Sequence, residues 1–351
     1  MKHRAPRSSS RTSSRTSSRK SVRTVSRRRT AAAPGEFDLI SRICARLPLS
    51  RRTLLGPGDD AAIIARSSGA QLVTIDSIVE GVHFDLRWGT PEQLGARALT
   101  VNLSDIAAMG GAPAACVVNL AIRPGLSLEF FERMYAGLAR AARAARVDVI
   151  GGNIARAGQL AITIALFGDA PAQPLRRDAA RVGDGIFVTG TLGDAAVGWR
   201  ILAGKLRARG AARTHLINAF LTPVARLSAG AKLARLRPVP AAIDISDGLW
   251  QDLGHILKRS RVGAEIDPQA IPVSDAYRAV MRGDLSLALG GGEDYELLFC
   301  MHPGYSARRL TAMLGVPVAR IGTIVKRRGA RFVGGGAPAL AGWDQLRAGA
   351  P

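Results

Sequence analysis

The chain has 351 residues, of which 47% are hydrophobic, enough for buried cores in about two domains of ordinary size. Its formal net charge is +22, from 49 basic and 27 acidic residues. No uninterrupted apolar stretch reaches the ~18 residues of a membrane-spanning helix, and the 3 cysteines lie too far apart for a disulfide framework. The composition therefore predicts a protein of a reducing compartment, which we take to be the cytoplasm.

Residues 1–33 form a separate basic segment of mostly Arg, Ser and Thr. They hold eleven Lys or Arg and no acidic residue, which leaves +11 for residues 34–351. Such a composition predicts disorder, because it offers too little apolar surface to offset the entropy of ordering. Its role stays open between an arm that binds nucleic acid, a solvated tail, and sequence upstream of the natural start. The Arg- and Ser-rich composition also resembles an organelle transit peptide.

In chain order, the first half mixes helices and strands. Apolar periodicity predicts helix 36–46, strands 60–65 and 71–76 joined as a hairpin, helix 91–109, strand 114–122, helix 127–145, and strands 147–150 and 160–166. Helix 91–109 has clear boundaries, since Pro91 and Glu92 mark its first turn and Gly110-Gly111 follow its end.

Two prolines within residues 169–176 interrupt the pattern, and we expect a domain boundary there, between 34–170 and 171–351. Beyond it, the pattern predicts strand 185–189, helix 193–204, helix 223–235, strand 241–245, helix 247–260 and strand 263–266. Segments 285–289 and 295–300 flank a Gly290-Gly291-Gly292 turn, and helix 305–314 and strand 318–324 follow. The sequence thus predicts an α/β (α+β) fold with a mixed sheet in each half.

Acidic residues are scarce, yet they gather in five short stretches, most of which follow or interrupt an apolar segment. The stretches are Gly58-Asp59-Asp60, Thr74-Ile75-Asp76-Ser77, Asn102-Leu103-Ser104-Asp105, Asp244-Ile245-Ser246-Asp247-Gly248 and Gly291-Gly292-Glu293-Asp294. Carboxylates beside buried segments are costly unless a cation meets them. Their oxygens favour Mg²⁺ or Ca²⁺ over zinc. The pattern therefore predicts divalent ions that hold a polyphosphate, and hence phosphoryl transfer.

Each stretch taken alone also has a simpler structural interpretation. A Gly-Asp pair is common in turns, and Ser246 or Asp247 is suited to cap helix 247–260. His83 alone is more often structural than functional. Asp105 is harder to explain as structural, because it lies in the middle of an apolar helix pattern. The sequence contains no P-loop, kinase-type Gly-rich loop, zinc spacing or Ser-His-Asp order.

Taken together, the motifs resemble the thiamine-monophosphate kinase family. They are GEFDLI, GPGDDAA, TIDSIVEGVHF, ALTVNLSDIAAMGGAP, GGN, LTP, DISDGL and GGEDYEL, in the family's order over about residues 35–345. Each motif is weak alone, but the ordered set is highly specific. This family shares a superfamily with aminoimidazole ribonucleotide synthetase, selenophosphate synthetase and the hydrogenase-maturation dehydratase. The resemblance implies a two-domain fold whose N-terminal sheets pair in a homodimer.

The resemblance also implies ATP-dependent phosphorylation of thiamine monophosphate to thiamine diphosphate, assisted by Mg²⁺. The substrate phosphate would attack the γ-phosphoryl group directly and in line. A phosphate is already a nucleophile, so we expect no general base and no catalytic side chain. One alternative is another ATP-dependent enzyme of the superfamily, of the aminoimidazole ribonucleotide synthetase type. A second is nucleic-acid binding through residues 1–33.

Finally, the resemblance implies roles for individual residues. As metal ligands it implies Asp59, Thr74, Ile75 (through its backbone), Asp76, Asp105, Asn153, Asp244 and Asp247. As contacts of ATP it implies Gly152, Asn153, Arg177 and Ser246, and as contacts of the substrate His83, Glu293 and Trp343. Trp343 would stack on the cationic thiazolium ring. Many family members have Asp where this chain has Asn153, so a neutral amide replaces a charged ligand here.

Overall fold

The computed structural model describes residues 40, 42–55, 62–65 and 69–334, and the basic segment 1–33 lies outside them. Residues 40 and 42–44 are helical, within predicted helix 36–46. Strands β1 (Thr53–Leu55) and β2 (Ile63–Ile64) pair antiparallel. The predicted hairpin between 60–65 and 71–76 is therefore wrong: β2 pairs with the strand before it, and 71–76 joins another sheet.

The first half is built around a four-stranded mixed sheet and two long helices. Its elements are β3 (Gln71–Val79), α1 (Pro91–Ala108), β4 (Ala112–Ile122), α2 (Leu128–Ala145), β5 (Asp148–Arg156) and β6 (Ala161–Asp169). The strand order is β3–β6–β4–β5, with β4 and β5 parallel and the other pairs antiparallel. Strands β3 and β5 are consequently the two edges of this sheet.

Helices α1 and α2 cover one face of this sheet and pack tightly against each other. A Cβ atom added at Gly95 would lie 1.9 Å from the carbonyl oxygen of Met134, and one added at Gly137 would lie 1.9 Å from that of Glu92. The two helices therefore approach through their backbones. As predicted, α1 starts at Pro91, where Thr90 and residue 93 form a capping box.

The opposite face of the sheet is open along its β3 edge. Because side chains alternate along a strand, Val73 and Ile75 point away from α1. They are 64% and 66% exposed. The strand register places Ala165 of β6 beside Ile75 on this face, and Val117 of β4 beside Ala165. We call this the outer face.

The second half contains a six-stranded mixed sheet. Its strands are β7 (Gly185–Thr189), β8 (Ala241–Asp244), β9 (Gly263–Ile266), β10 (Leu297–Met301), β11 (Val318–Val325) and β12 (Gly329–Phe332). They lie in the order β12–β9–β11–β7–β10–β8, antiparallel except for the parallel pair β12 and β9. Strand β8 is thus an edge, and it ends at Asp244.

Helices cover both faces of this second sheet. They are α3 (Asp194–Leu202), α4 (Gly210–Leu221), α5 (Leu227–Leu233), α6 (Leu249–Ser260), α7 (Asp275–Met281), α8 (Ser286–Gly290) and α9 (Ala307–Leu314). Ile186 and Val188 share one core with α3, α4 and α6, whereas Phe187 shares the other with α5 and α9. Sequence periodicity missed α4 and α7: α4 starts at a glycine without a side-chain cap, and α7 is only 7 residues long.

Helix α1 joins the two halves. Its last residues, Ala107 and Ala108, belong to the same core as Phe187 and Phe299 of the second sheet. A Cβ atom at Gly230 of α5 would lie 2.0 Å from the carbonyl oxygen of Ala107, so these helices also touch through their backbones. The core of the second half is therefore continuous with the helix that covers the first sheet.

Among the described residues, no helix is long and apolar enough to cross a membrane. The three cysteines are unpaired; Cys116 and Cys300 are buried, and Cys44 is half-buried.

Candidate active site

Helix α1 and strand β3 meet through polar side chains. The side-chain oxygen of Asn102 accepts a hydrogen bond from the backbone N–H of Asp76 at 3.0 Å. Three residues along the helix, the carboxylate of Asp105 accepts a hydrogen bond from the Thr74 hydroxyl. Asn102 and Asp105 lie three residues apart and therefore share a face of α1. These bonds hold Asp76 and Asp105 at the wall of one cavity.

Strand β8 brings a carboxylate from the second half to the same cavity. Asp244 is the last residue of β8, is only 4% exposed, and accepts a hydrogen bond from the Ser104 hydroxyl at 2.7 Å. Because Ser104 precedes Asp105 on α1, this bond draws Asp244 towards Asp105. Sequence reasoning missed Ser104, although a fully buried serine in an apolar helix needs a partner.

Two loops of the second half are joined by backbone hydrogen bonds. The N–H of Glu293 donates to the carbonyl oxygen of Ser246, and the N–H of Tyr295 donates to that of Ile245, both at 2.8 Å. Gly292 has φ +66°, and a Cβ atom there would lie 2.4 Å from the Ser246 carbonyl oxygen. Only glycine fits this close approach. The paired loops bring Ser246 and Glu293 to the cavity.

The capping interpretation of Asp247 is wrong. Helix α6 begins after Gly248 without a side-chain cap. Asp252, in its first turn, instead accepts the backbone N–H groups of Ser246, Asp247 and Gly248, each at 3.1 Å. Asp247 accepts a bond from the amide of Gln251 at 2.9 Å and lines the cavity. The sequence signal for Asp252 was an acidic residue in the first helical turn.

The four cavity aspartates hold their protons more tightly than usual. Loss of water contact, reinforced by Asp105 and Asp244, raises the pKa of Asp76 to about 7. Burial, with Asp105 next, also raises the pKa of Asp244 to about 7, although the Ser104 hydrogen bond opposes the shift. Burial raises the pKa of Asp105 and Asp247, and Arg177 partly opposes both shifts. Such an oxygen-only cluster fits a hard divalent cation such as Mg²⁺.

A second wall of the cavity contains His83 and Glu293. The buried guanidinium of Arg97 lies behind both: its Nη2 donates to Glu293 Oε2 at 2.5 Å, and its Nη1 donates to the His83 carbonyl oxygen at 2.9 Å. Burial lowers the pKa of His83, an effect that Glu293 opposes. Sequence reasoning missed Arg97, whose signal was a basic residue within an apolar helix pattern.

The cavity also has an apolar side, which the sequence did not reveal. Val82, Trp199, Phe220 and Leu287 line it. The Trp199 ring lies edge-on to Trp88, with the ring centroids 6.4 Å apart. This side suits a flat organic ring, whereas the carboxylates suit cations.

Not every predicted site residue reaches this cavity within one chain. Gly152 and Asn153 lie on β5, three strands from β3, which corresponds to roughly 14 Å at ~4.8 Å per strand. The Asn153 amide donates to the Asn119 side-chain oxygen at 2.9 Å, on the outer face. Arg177 is exposed. Asp59 and Trp343 lie outside the described residues.

Two family models match the chain. The model of the AIR synthase related protein N-terminal domain covers residues 58–170, and that of the C-terminal domain covers residues 181–335. Among curated proteins, the thiamine-monophosphate kinase of Salmonella typhimurium is 39% identical over 321 residues, 89% of this chain and 97% of the relative. That of Aquifex aeolicus is 36% identical over 273 residues, 77% and 86% of the two chains.

Solved structures of such kinases have the same fold. The thiamine-monophosphate kinase of Stenotrophomonas maltophilia superposes with a TM-score of 0.78 at 37% identity, over 86% of this chain and 98% of that one. AaThiL, solved as a complex with AMPPCP and TMP, gives 0.72 at 33% identity, over 89% and 97%. A hydrogenase maturation protein of Escherichia coli gives 0.69 at 21% identity, over 83% and 91%, which indicates a shared fold alone.

We expect Asp244→Asn to stabilise the cation-free protein at pH 8 and to have little effect near pH 4. The folded-state pKa, about 7, lies above the ordinary value of 3.8, so the folded state binds this proton more tightly. That contribution to stability is complete below about pH 4 and is lost as the pH rises through about 7. Asparagine keeps an oxygen for Ser104 and removes the charge. Thermal unfolding in EDTA across this pH range measures the difference.

Glu265→Gln is the matched control, because Glu265 is exposed on β9 and its neutralisation should not change the pH dependence. An Asp244→Asn variant that is equally destabilised at every pH would contradict the raised folded-state pKa of Asp244 on which this expectation rests.

Proposed function

The chain belongs to the thiamine-monophosphate kinase family, as its ordered motifs predicted, and we propose that it transfers the γ-phosphoryl group of ATP to thiamine monophosphate. The products are ADP and thiamine diphosphate. The observation that carries the proposal is the convergence of Asp76, Asp105, Asp244 and Asp247 on one cavity. Two come from the first half and two from the second, and all have a raised pKa.

The relatives support this choice of substrates. Curated relatives that align over 97% of their length are named thiamine-monophosphate kinases. AaThiL was solved with TMP and AMPPCP, a non-hydrolysable analogue of ATP. These names favour the kinase over the alternative of an aminoimidazole ribonucleotide synthetase type of enzyme.

Mg²⁺ is part of the proposal. Asp76, Asp105, Asp244 and Asp247 would hold it, together with the hydroxyl of Thr74. Their fit lies in the carboxylates themselves: buried oxygens that repel one another gain from a shared hard cation. When bound, such ions neutralise and orient phosphoryl oxygens.

The remaining residues of the cavity would orient the acceptor substrate through apolar and polar contacts. The acceptor is a phosphate oxygen, already a nucleophile, so in-line transfer needs orientation and not a general base. Trp199, Phe220 and Leu287 supply apolar contact for the rings of thiamine. Glu293 supplies a carboxylate for an amino or cationic group of the substrate. Burial lowers the pKa of His83, and its Nδ1 accepts a hydrogen bond from the backbone N–H of Val79 at 3.1 Å, which leaves Nε2 as the donor of the neutral ring.

Purified protein should form ADP and thiamine diphosphate from ATP and thiamine monophosphate only in the presence of Mg²⁺. Asp76→Asn should lower kcat by about 100-fold or more, because a ligand for the charge-neutralising cation is lost. Coupled ADP release and chromatography of thiamine diphosphate measure both results.

Asp275→Asn, at an exposed helix position, is the control and should keep full activity. Full activity of folded Asp76→Asn, or the absence of any Mg²⁺-dependent turnover by the natural chain, would refute the proposed function.

A homodimer is also part of the proposal. Val73 and Ile75 expose an apolar edge on β3, and unpaired sheet edges of this kind are usually covered or paired. If the first sheets of two copies close into one barrel, an edge strand of one copy lies beside an edge strand of the other. This arrangement would let Asn153 on β5 of one copy approach the Asp76 edge of the other, which a single chain does not allow.

We expect Val73→Glu to convert the dimer to a monomer, because it places a charge in the covered apolar edge. Light scattering after gel filtration should give twice the chain mass of 37.0 kDa for the natural protein and the single mass for the variant. Val182→Glu is the control, since Val182 is 60% exposed in the second half, away from the sheet edge. A natural chain that elutes as a monomer would exclude the dimer.

Nucleic-acid binding by residues 1–33 and a cytoplasmic location stay predictions.

A further inference from the structure

We propose that Arg97 is a positioning residue that sets the substrate-side wall of the cavity, an inference that rests on the proposed function. Arg97 does not line this cavity. Its guanidinium nevertheless binds both residues of that wall: Nη2 donates to Glu293 Oε2 at 2.5 Å, and Nη1 donates to the His83 carbonyl oxygen at 2.9 Å. One side chain of α1 thus fixes a turn of the first half and a loop of the second.

The environment of Arg97 gives it a single arrangement. Its side chain is only 2% exposed, compared with 25% for Glu293. The guanidinium lies over the Phe220 ring, with its central carbon 4.0 Å from the ring centroid. Arg97 Nε is buried without a hydrogen-bond partner. A buried donor without a partner costs free energy. The contacts of the guanidinium with Glu293, His83 and Phe220 must therefore outweigh the cost of leaving Nε unpaired.

Glu293 shows what this arrangement achieves. Its Oε2 accepts two hydrogen bonds, one from Arg97 and one from the Tyr295 hydroxyl at 3.1 Å. Oε1 accepts none from the described part of the chain, and the residue lines the cavity. The backbone of Glu293 has φ +66° and is held by its N–H bond to Ser246. With backbone and Oε2 both fixed, Oε1 is the atom left for a ligand.

The charge of Arg97 has a second effect. The cavity already contains four aspartates, and an uncompensated Glu293 would add repulsion towards the phosphate of the substrate. Arg97 offsets that charge from behind while leaving Oε1 accessible. The ligand that fits Oε1 is a cationic or amino-bearing ring, which thiamine supplies. Arg97 should therefore affect affinity for the thiamine substrate and leave ATP almost unaffected.

The test compares Arg97→Met and Arg97→Lys with the natural enzyme. For Arg97→Met we expect the KM for thiamine monophosphate to rise about tenfold, the typical effect of losing a hydrogen bond to a charged group. The KM for ATP should stay within about twofold, since the ATP side retains its residues. Arg97→Lys keeps the charge but has fewer hydrogen-bond donors. Its KM for thiamine monophosphate should therefore lie between that of the natural enzyme and that of Arg97→Met.

A double-mutant cycle separates positioning from general destabilisation. Glu293→Gln should also raise the KM for thiamine monophosphate, and adding Arg97→Met should then raise it by less than Arg97→Met does alone, because only the contact with His83 is left to lose. Tyr295→Phe removes only the second donor to Oε2 and should raise the same KM about threefold. It keeps the test valid even if Arg97→Met does not fold. The control is Arg133→Met, which breaks an exposed pair with Glu92 and should change neither KM.

An unchanged KM for thiamine monophosphate in Arg97→Lys and Tyr295→Phe would overturn the inference, as would additive effects in the cycle. Equal increases in both KM values would likewise overturn it, because they indicate a merely structural role. Loss of all turnover in the natural chain is a different result, since it refutes the proposed function itself.

Discussion

Burial of several carboxylates in one cavity is the constraint on which the rest of this structure depends. Loss of water contact, reinforced by the neighbouring carboxylates, disfavours the charged forms of Asp76 and Asp244, and packing and hydrogen bonding keep them beside Asp105. Helix α1 supplies that restraint, because it is buried between the two sheets. Its side chains bind β3 on one side and Asp244 on the other. The fold thereby maintains an arrangement that gains energy when cations and phosphates enter.

The same helix makes the two halves depend on each other. Its end belongs to the core of the second sheet, and Arg97 near its start binds the Glu293 loop. Neither half therefore contains a complete site. Each half contributes to both walls of the cavity, since Val82 and Trp199 lie on the apolar side and Asp76 and Asp244 on the acidic side.

Local patterns predicted most of the fold. Helix 91–109 and helix 127–145 were correct within one residue, because Thr90 and Ser127 cap their first turns and Gly110 follows the end of the first. Strand 185–189 and strand 263–266 were also correct. Strand pairing was not: β2 pairs with β1, since pairing depends on distant segments. The predicted helix 223–235 is shorter in the structure, where it spans Leu227–Leu233. The neighbouring α4 was not predicted, because tertiary contacts that stabilise a helix leave little local signal in the sequence. The domain boundary near residue 170 stays a prediction.

The sequence alone determined the family, the α/β class and the acidic turns, because these are properties of residue order and local spacing. It also identified five of the carboxylates that meet at the cavity: Asp76, Asp105, Asp244, Asp247 and Glu293. The tertiary structure alone decided which residues support them. Ser104 binds Asp244 and Arg97 binds Glu293 across long sequence separations, and a hydrogen bond between distant segments leaves no mark on spacing. Asp252 and Tyr295 bind residues close in the chain, but the conformation of the folded loops decides which groups they meet. The tertiary structure also placed Asn153 on β5, at the edge of the first sheet opposite β3, because strand order is set by the packing of the whole chain.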